Sequence, residues 1–471
     1  MIRLALKTAT ILTASLALIS SLAMASPCQA QTTSNEAAEA TEPTVAETNA
    51  AAFYSNWSRA LKDYALFPPA PQITGPAGPT PTARPTDRIK VREYLAPIRE
   101  VYAAIRLGPK YANALVGGFE QGSGIGFGGE LTTADRFSRV EFRASAFIST
   151  LLYSRARLDA YFPKIGDERT HANVWFNYFL VRGWNFYGIG PNTPQATRTS
   201  FRLEERSLNG LFQRDFTYRF KAGVYAGLAN AGASNGNKDL PPINLFFSGD
   251  PSVTPITRWA PGLDMNAEIF YYGLYGEYDG RDNTRGLTKG FYLYGLFGSY
   301  DGIDNGALFT DYGWLGLVLD GKVFIPLGSD STSFAARVFT SLQNPKGGSQ
   351  IPFYYQSFLG GRLFVRGFRD FRFRGNNSLV LSAELRQIVW VQKDDRGLDI
   401  HGFGDAGQVW GDNRSSTNPV VLANNQFSSS NWRFGAGGGI TYRYNKQLAF
   451  RVEIGHSHEG NQVYFSLTRG F

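Results

Sequence analysis

This 471-residue sequence has almost no cysteine and few long apolar segments. It has a single cysteine, Cys28, so no disulfide can form within the chain. Beyond the N-terminal segment, no run of about 18 consecutive apolar residues occurs. These two absences exclude a disulfide-stabilised scaffold and an α-helical membrane protein.

The first 30 residues lack acidic side chains and have the pattern of a targeting segment. Arg3 and Lys7 precede an apolar or small stretch over 8–24, and further small residues follow it. A basic start, an apolar middle and a small-residue cleavage site are typical of a secretory signal peptide. Thr and Ser interrupt the apolar stretch, which disfavours a membrane anchor, and Pro27 disfavours a lipoprotein. We predict that 1–30 is a signal peptide and that the mature chain is exported.

The next segment, 31–109, lacks the composition of a folded module. Residues 31–52 have almost no large apolar side chain, which predicts disorder, and 67–85 is rich in proline, which predicts an extended linker. Short helices are predicted on both sides of this linker, the second over 87–107. We interpret 31–109 as a disordered, proline-rich periplasmic extension with short helices. A periplasmic partner is expected to contact 51–107.

The net charge of the chain is +8 at pH 7, and removal of Arg3 and Lys7 with the signal peptide leaves +6. A basic chain with 14% aromatic residues has two of the features of nucleic-acid binding proteins. Here, however, arginines and acidic residues are spread along strand-like segments instead of forming one patch. We therefore expect no nucleic-acid partner.

From residue 110 onward, large apolar residues alternate with polar or small ones at a period of two. Segments of about ten such residues have the length of a tilted strand that crosses a bilayer. Closing the sheet pairs every strand edge, as a lipid environment requires. We predict an all-β fold, a 16-stranded antiparallel transmembrane β-barrel over 110–471. The predicted strands are 110–119, 121–131, 137–149, 151–162, 171–183, 198–208, 215–229, 264–279, 289–300, 311–324, 332–343, 378–391, 398–410, 431–444, 447–457 and 461–471.

The connections between these strands differ in length at the two ends of the barrel. One end has short turns, among them 209–214, and the other has long loops, among them 344–377 between the eleventh and twelfth strands. Short periplasmic turns and long external loops are typical of outer-membrane barrels. A soluble β-sandwich or propeller does not predict this alternation.

The C-terminal strand ends in an aromatic residue. Phe465 and Leu467 alternate with other side chains, and Phe471 is the last residue of the sequence. This pattern resembles the signal that the bacterial outer-membrane insertion machinery reads. We therefore expect that machinery to be a partner during biogenesis.

Two motifs that suggest chemistry have simpler explanations. Residues 124–129 satisfy GxGxxG, but without a parallel-sheet strand before them and a helix after them they are typical of a glycine-rich strand. Ser457 lies between His456 and His458, which allows an esterase or phospholipase, or a metal site with Glu459, as alternatives. A hydrolase needs a base oriented by a third group and an oxyanion site. The segment is more typical of a hairpin tip, so we assign no catalytic residue, cofactor or metal.

The strongest candidate site joins a loop with two strands. Its residues are Gly360, Gly361, Val365, Arg366, Gly367 and Phe368 in the loop, Glu384 on the twelfth strand, and Phe403, Asp405 and Gly407 on the thirteenth. Glu384 and Asp405 can face the same part of the lumen, and a buried Arg366 would need charged partners. Gly367 permits a sharp backbone turn. A solvated basic loop with unrelated strand acids is equally consistent with the residues alone.

These motifs resemble the BamA/TamA superfamily of outer-membrane assembly factors and two-partner secretion transporters, also called the bacterial surface antigen family. The resemblance covers about 110–471 and is most specific over 357–410. It implies that the loop enters the lumen between strands eleven and twelve and that Arg366 pairs with Asp405 and Glu384. It also implies a weak seam between the first and last strands. The segment before the barrel is too proline-rich for the POTRA modules that family members usually carry.

The expected function follows from this resemblance. We expect a non-enzymatic barrel of the bacterial outer membrane that assists the insertion or translocation of protein or lipid, with outer-membrane lipids and lipopolysaccharide around it. The alternatives are a passive channel or a surface-exposed structural barrel, and an outer-membrane lipid hydrolase is less favoured.

Overall fold

The computed structural model describes most of the chain after residue 102. The described residues are 103–107, 112–118, 126–133, 140–236, 240–250, 252, 258–281, 289–304, 307–328, 331–392, 396–411, 426–443 and 449–466. The predicted signal peptide and the predicted extension, except for 103–107, lie outside these residues. Within the described part, no helix is long and apolar enough to cross a membrane.

The described chain is almost entirely β-structure. Its strands are β1 Ala103–Leu107, β2 Ala112–Gly118, β3 Gly126–Thr132, β4 Glu141–Ser149, β5 Ser154–Phe162, β6 Thr170–Phe186, β7 Thr199–Asp215, β8 Phe220–Asn235, β9 Asn266–Asp279, β10 Gly290–Asp304, β11 Ala307–Pro326, β12 Thr332–Pro345, β13 Ser357–Leu359, β14 Phe373–Gly375, β15 Asn377–Val391, β16 Gly397–Trp410, β17 Arg433–Arg443, β18 Ala449–Ser457 and β19 Gly460–Ser466. Three short 3₁₀ helices are described, Gln195–Thr197, Ile243–Leu245 and Ser429–Asn431.

The strands form a 17-stranded antiparallel sheet in which each pairs with the next along the chain. The order skips only β13 and β14, so β12 pairs directly with β15, and β13 and β14 pair with each other inside the intervening loop. Sixteen of the strands, β2 to β12 and β15 to β19, correspond one to one with the predicted strands. This is the meander that an up-and-down barrel requires.

Side chains on the two faces of the sheet have the polarity of a membrane barrel. Along β7, Ser207 and Asn209 are buried, whereas Leu208 and Phe212 are 50% and 46% exposed. The same pattern recurs around the sheet. Exposed apolar side chains include Phe127, Leu158, Val174, Phe176, Leu274, Phe297, Val338, Ile400, Ile440 and Ile454, and buried polar ones include Arg157, Asp159, Glu205, Glu277, Asp320, Glu384, Asp405 and Glu453. An apolar outside and a polar inside fit a lipid-facing wall around a lumen.

Two local predictions are wrong. Ala103–Leu107 is a strand, not the end of a helix over 87–107, because pairing with β2 supplies its backbone with hydrogen-bond partners that a local helical pattern does not reveal. The turn predicted over 209–214 lies inside β7, which continues to Asp215. Asn209 is of a residue type that favours turns, but in β7 its side chain points inward and accepts a hydrogen bond from the Tyr271 hydroxyl.

The loop between β12 and β15 packs inside the sheet. Phe353 lies in an aromatic cluster, 4.7 Å from Phe186 and 4.8 Å from Phe201 between ring centres. The Tyr354 hydroxyl donates to the carbonyl of Ala231 on β8 at 3.1 Å, and that of Tyr355 donates to Glu205 on β7 at 3.2 Å. The loop therefore fills the lumen from the side of β6 to β9 as well as from its own strands.

Candidate functional site

A small hairpin inside the lumen presents the loop motif. β13 and β14 form its arms, with Leu359 opposite Phe373. Gly360 and Gly361 follow β13 with φ of +102° and +89°, a backbone conformation that residues with a Cβ rarely adopt. The N–H of Gly361 donates to the carbonyl of Phe368 at 3.1 Å. The chain thus forms a compact turn with the tetrad 365–368 at its tip.

Arg366 is held first by Asp405 on β16. Its Nε and Nη2 donate to the two carboxylate oxygens at 2.7 and 2.8 Å, and its backbone N–H donates to Oδ2 at 3.0 Å. The guanidinium also lies 3.4 Å from the ring centre of Phe403, two residues earlier on the same strand. Both the side chain and the backbone of the loop tip are therefore fixed by one strand.

Two further carboxylates complete the shell around Arg366. Its Nη1 donates to Glu453 on β18 at 2.7 Å and to Glu384 on β15 at 3.2 Å. Together with Asp405 on β16, the arginine therefore binds carboxylates from three strands. Of these strands, β18 had no predicted role in the site. All four groups are buried. Unpaired charges in such a place cost several kcal/mol, so each needs the others.

A second arginine balances the acidic groups. Arg451 on β18 donates to both oxygens of Glu384, at 3.1 and 2.6 Å, and to Glu453 at 2.8 Å. Arg386 adds a contact to Glu384 at 2.5 Å. Three arginines thus face three carboxylates. Burial by itself would lower the pKa of the Arg366 guanidinium, but its hydrogen bonds to Asp405 and the neighbouring negative charges raise that pKa above its ordinary value.

This arrangement leaves little capacity for a metal ion. Glu384, His401 and Glu453 place one candidate ligand atom each within 4.8 Å of one another. The oxygens that would bind the ion already accept hydrogen bonds from Arg366 and Arg451. A cation here would have to displace a guanidinium, so the donor set fits an arginine cluster better than a metal centre.

Gly367 allows the loop tip to lie against β18. Its φ is +101°, and a Cβ at this position would lie 2.6 Å from the backbone carbonyl carbon of His456. The facing strands are also glycine where the loop touches them. A Cβ on Gly435 of β17 would lie 1.7 Å from the Arg366 carbonyl oxygen, and one on Gly455 of β18 would lie 2.7 Å from the Gly367 nitrogen. The close approach therefore needs glycine on both sides.

The last hairpin, β18 and β19, holds the backbone of the tetrad. The Ser457 hydroxyl donates to the Gly367 carbonyl at 2.8 Å. The Tyr464 hydroxyl accepts from the Gly367 N–H at 2.8 Å and donates to the Phe368 carbonyl at 2.9 Å. Ser457 is thus buried and bonded to the loop, whereas the His456 ring is exposed and contacts Asn461. This geometry does not support the hydrolase alternative.

The apolar residues of the motif pack into their own cluster. Val365 and Phe368 are fully buried, and the cluster includes Leu359 and Val409. Gly407 of the strand motif lies beneath it, because a Cβ there would come within 2.7 Å of Leu359 and 2.9 Å of Val365. Because Val365 directly precedes Arg366, this cluster lies beside the salt-bridge network.

A separate contact fixes the loop near the long-loop end of the barrel. Arg372 donates through Nε to both carboxylate oxygens of Glu459, at 2.8 and 2.9 Å, and through Nη2 to the Thr193 carbonyl at 2.6 Å. Glu459 is in the turn between β18 and β19. The loop is therefore attached to the last hairpin at two levels.

The structure brings most of the predicted site residues together. The loop motif, Glu384, Phe403, Asp405 and Gly407 all contribute to one buried region. Of the predicted C-terminal signal, Phe465 lies on β19 opposite Val452, and Leu467 and Phe471 lie outside the described residues. Sequence reasoning missed Arg451, Glu453, Gly435, Gly455 and Tyr464. Arg451 and Glu453 could have been predicted to face the lumen, because they alternate with the apolar Val452 and Ile454 on one strand.

Comparison with known proteins gives the class of this fold. Residues 264–470 match the Omp85 superfamily domain. The structure is similar to BamA from Haemophilus ducreyi lacking POTRA domains 1-3, with a TM-score of 0.53 and 13% identity over 79% of this chain and 70% of that chain. For CdiB from Escherichia coli the TM-score is 0.49 with 12% identity, over 80% of this chain and 68% of that chain. No curated protein matches the sequence.

The protein is therefore a β-barrel of the outer-membrane type. More narrowly, residues 264–470 carry an Omp85 superfamily domain, and the fold is similar to that of a BamA barrel. The predicted resemblance and the predicted antiparallel barrel of 16 strands are confirmed.

Proposed function

We propose that the protein is a bacterial outer-membrane barrel that assists the insertion or translocation of protein or lipid without catalysing a reaction. The observation that supports this is the attachment of the lumen loop to the last hairpin, through Arg366 to Glu453 and through the Gly367 backbone to Ser457 and Tyr464. The Omp85 domain supports the general class of role.

The attachment links two parts of the barrel that such a role would move together. Strand β19 is the last in the sheet, and β18, its only partner among the described strand pairs, carries Glu453 and Ser457. A displaced loop loses these contacts, and a displaced last hairpin loses the same ones. Loop position and the state of the final strand are therefore energetically coupled.

The test is to deplete the protein in its native host and to measure the abundance of other outer-membrane proteins and of surface lipid. We expect a selective fall in one or a few of these components, and complementation with the wild-type gene should restore them. Unchanged levels of all, with steady conductance from the purified barrel in planar bilayers, would favour the passive channel. Unchanged levels without conductance would favour a structural barrel.

The extension before the barrel is the proposed contact for a periplasmic partner. Photocrosslinking from positions within 51–107 in intact cells tests this, with an exposed lipid-facing position such as Phe212 as the control. We expect a discrete crosslinked species that the control position does not give. Crosslinks to many proteins in proportion to their abundance would overturn the proposal.

A further inference from the structure

A pair of arginines on the outer wall of the barrel takes no part in the lumen site. On β7, Arg202 and Arg206 both donate to Glu204 through Nη2, at 2.6 and 3.0 Å. Their side chains are 42% and 65% exposed. The intervening Leu203 and Glu205 are buried and face the lumen. The three charged side chains are therefore on the wall that faces the membrane.

The pair lies where the apolar surface of the wall ends. Leu208, the next outward residue after Arg206, pairs with Phe176 on β6 and Leu228 on β8, and all three are exposed and apolar. Arg206 instead pairs with Tyr178 and Asn230. Within one step of two residues, about 7 Å along a strand, the outer surface changes from apolar to charged.

This boundary is at the end of the barrel that carries the long loops. β7 begins at Thr199, directly after the loop whose Gly190 N–H donates to the carbonyl of Arg374 in the lumen loop at 2.7 Å. Long loops are external in outer-membrane barrels, so the arginines are at the level of the outer-leaflet headgroups. This placement rests on the proposed outer-membrane location.

Arg202, Arg206 and Glu204 together carry one net positive charge. Two guanidinium groups share the single carboxylate of Glu204, and each guanidinium has five N–H donors. On β9, two strands away, the exposed Glu268 accepts a hydrogen bond from the neutral Asn230 amide at 2.7 Å. Arginine binds phosphate through paired hydrogen bonds, and clustered basic residues at a membrane surface attract anionic headgroups.

We propose that Arg202 and Arg206 bind a phosphate group of the phosphorylated glycolipid in the outer leaflet, that is, lipopolysaccharide. Glu204 pairs with both guanidinium groups and so competes with a phosphate for their N–H donors. The adjoining apolar surface, with Leu208 and Leu228, accommodates the acyl chains. The barrel thus carries a lipid site on its outer wall that is separate from the lumen loop.

The experiment measures lipopolysaccharide bound to purified, folded barrels in nanodiscs, by native mass spectrometry, for three variants. For the double variant Arg202→Gln/Arg206→Gln we expect about tenfold weaker retention than for wild type. For Glu204→Gln, which removes the competing carboxylate, retention should rise. The matched control is Arg214→Gln, since Arg214 is also outward on β7 and paired with a carboxylate, Asp167, at 3.0 Å, but is at the short-turn end; its retention should not change.

The outcomes separate the lipid site from its rivals. Equal loss in the Arg214 control and the double variant, or a fall in Glu204→Gln, would overturn the proposal. Displacement of the lipid by inorganic phosphate alone would assign a free-anion site instead. Membrane fractionation of the same variants measures whether the barrel reaches the outer membrane, independently of lipid retention. A wild-type barrel that reaches the outer membrane but binds no lipopolysaccharide would contradict this inference. It would not contradict the proposed function.

Discussion

Arg366 and Asp405 are joined by three hydrogen bonds, two from the guanidinium and one from the backbone N–H of the arginine. One strand carboxylate therefore fixes both the side chain and the main chain of the loop tip. The other carboxylates, Glu384 and Glu453, contact only the guanidinium. Asp405 is thus the residue whose loss should release the tip most completely.

Removal of either partner of this pair should be strongly destabilising. We expect Arg366→Ala and Asp405→Ala each to lower the free energy of unfolding by about 3–5 kcal/mol, because each leaves buried charge without its partner. The double variant should lose clearly less than the sum. Urea titration followed by heat-modifiable gel mobility measures this. Arg369→Ala, an exposed arginine in the same loop, is the control and should change little. Additive losses would contradict a direct coupling.

Gly367→Ala tests the close approach of the loop to β18. The added Cβ would meet the His456 backbone at 2.6 Å at a φ of +101°, so we expect the tip to be displaced and the loop to become sensitive to protease in folded barrels. Gly348→Ala is the control, because Gly348 has a φ of +85° but nothing within 4 Å of a Cβ. Equal effects of the two substitutions would show that backbone strain, and not the contact with β18, is responsible.

Tyr464→Phe removes only the hydroxyl that connects the Gly367 N–H and the Phe368 carbonyl. Because two buried backbone groups lose their partner, we expect a loss of about 1–3 kcal/mol in the same titration. Tyr442→Phe, where the ring packs against Phe450 on the outer side of the hairpin, serves as the control. A loss no greater than in the control would mean that Tyr464 does not hold the loop.

Ser457→Ala distinguishes a structural serine from a nucleophile. Its hydroxyl donates to the Gly367 carbonyl, so we expect a loss of about 1 kcal/mol in stability and no change in the lipid composition of the outer membrane. A change in lipid composition without a change in stability would support the alternative that the protein is an outer-membrane lipid hydrolase. Ser430→Ala, in the 3₁₀ helix before β17, is the control for a serine away from the lumen loop.

The sequence was sufficient to predict the strands, the loop and two of the three carboxylates. The strands could be predicted because side chains on a strand alternate between its two faces, which is a local pattern. The outer face is apolar and the inner face is polar, so the alternation can be read in the sequences of both β7 and β18. Asp405 was found because it lies in the strand motif that follows the loop motif, and Glu384 because it lies on the strand between the two. The family resemblance then implied that both pair with Arg366. Glu453 was missed because its strand is distant in sequence from the loop.

The rest of the site depends on contacts that no local pattern contains. Gly435 is one of four glycines in β17, and only the path of the loop shows that it and Gly455 of β18 are contacted. The hydroxyl of Tyr464 acquires its role from two backbone groups nearly a hundred residues earlier. Strand β1 was assigned to a helix because its pairing with β2 is a tertiary contact, which overrides a weak local preference.

The arginine network keeps the loop inside the lumen. Conductance of reconstituted barrels, wild type against Arg366→Ala, tests it most directly. We expect wild type to show low conductance with rare openings, and Arg366→Ala to show a larger and steadier conductance, because the loop no longer stays attached to Asp405, Glu384 and Glu453. Unchanged conductance in a variant with normal heat-modifiable mobility would contradict the claim.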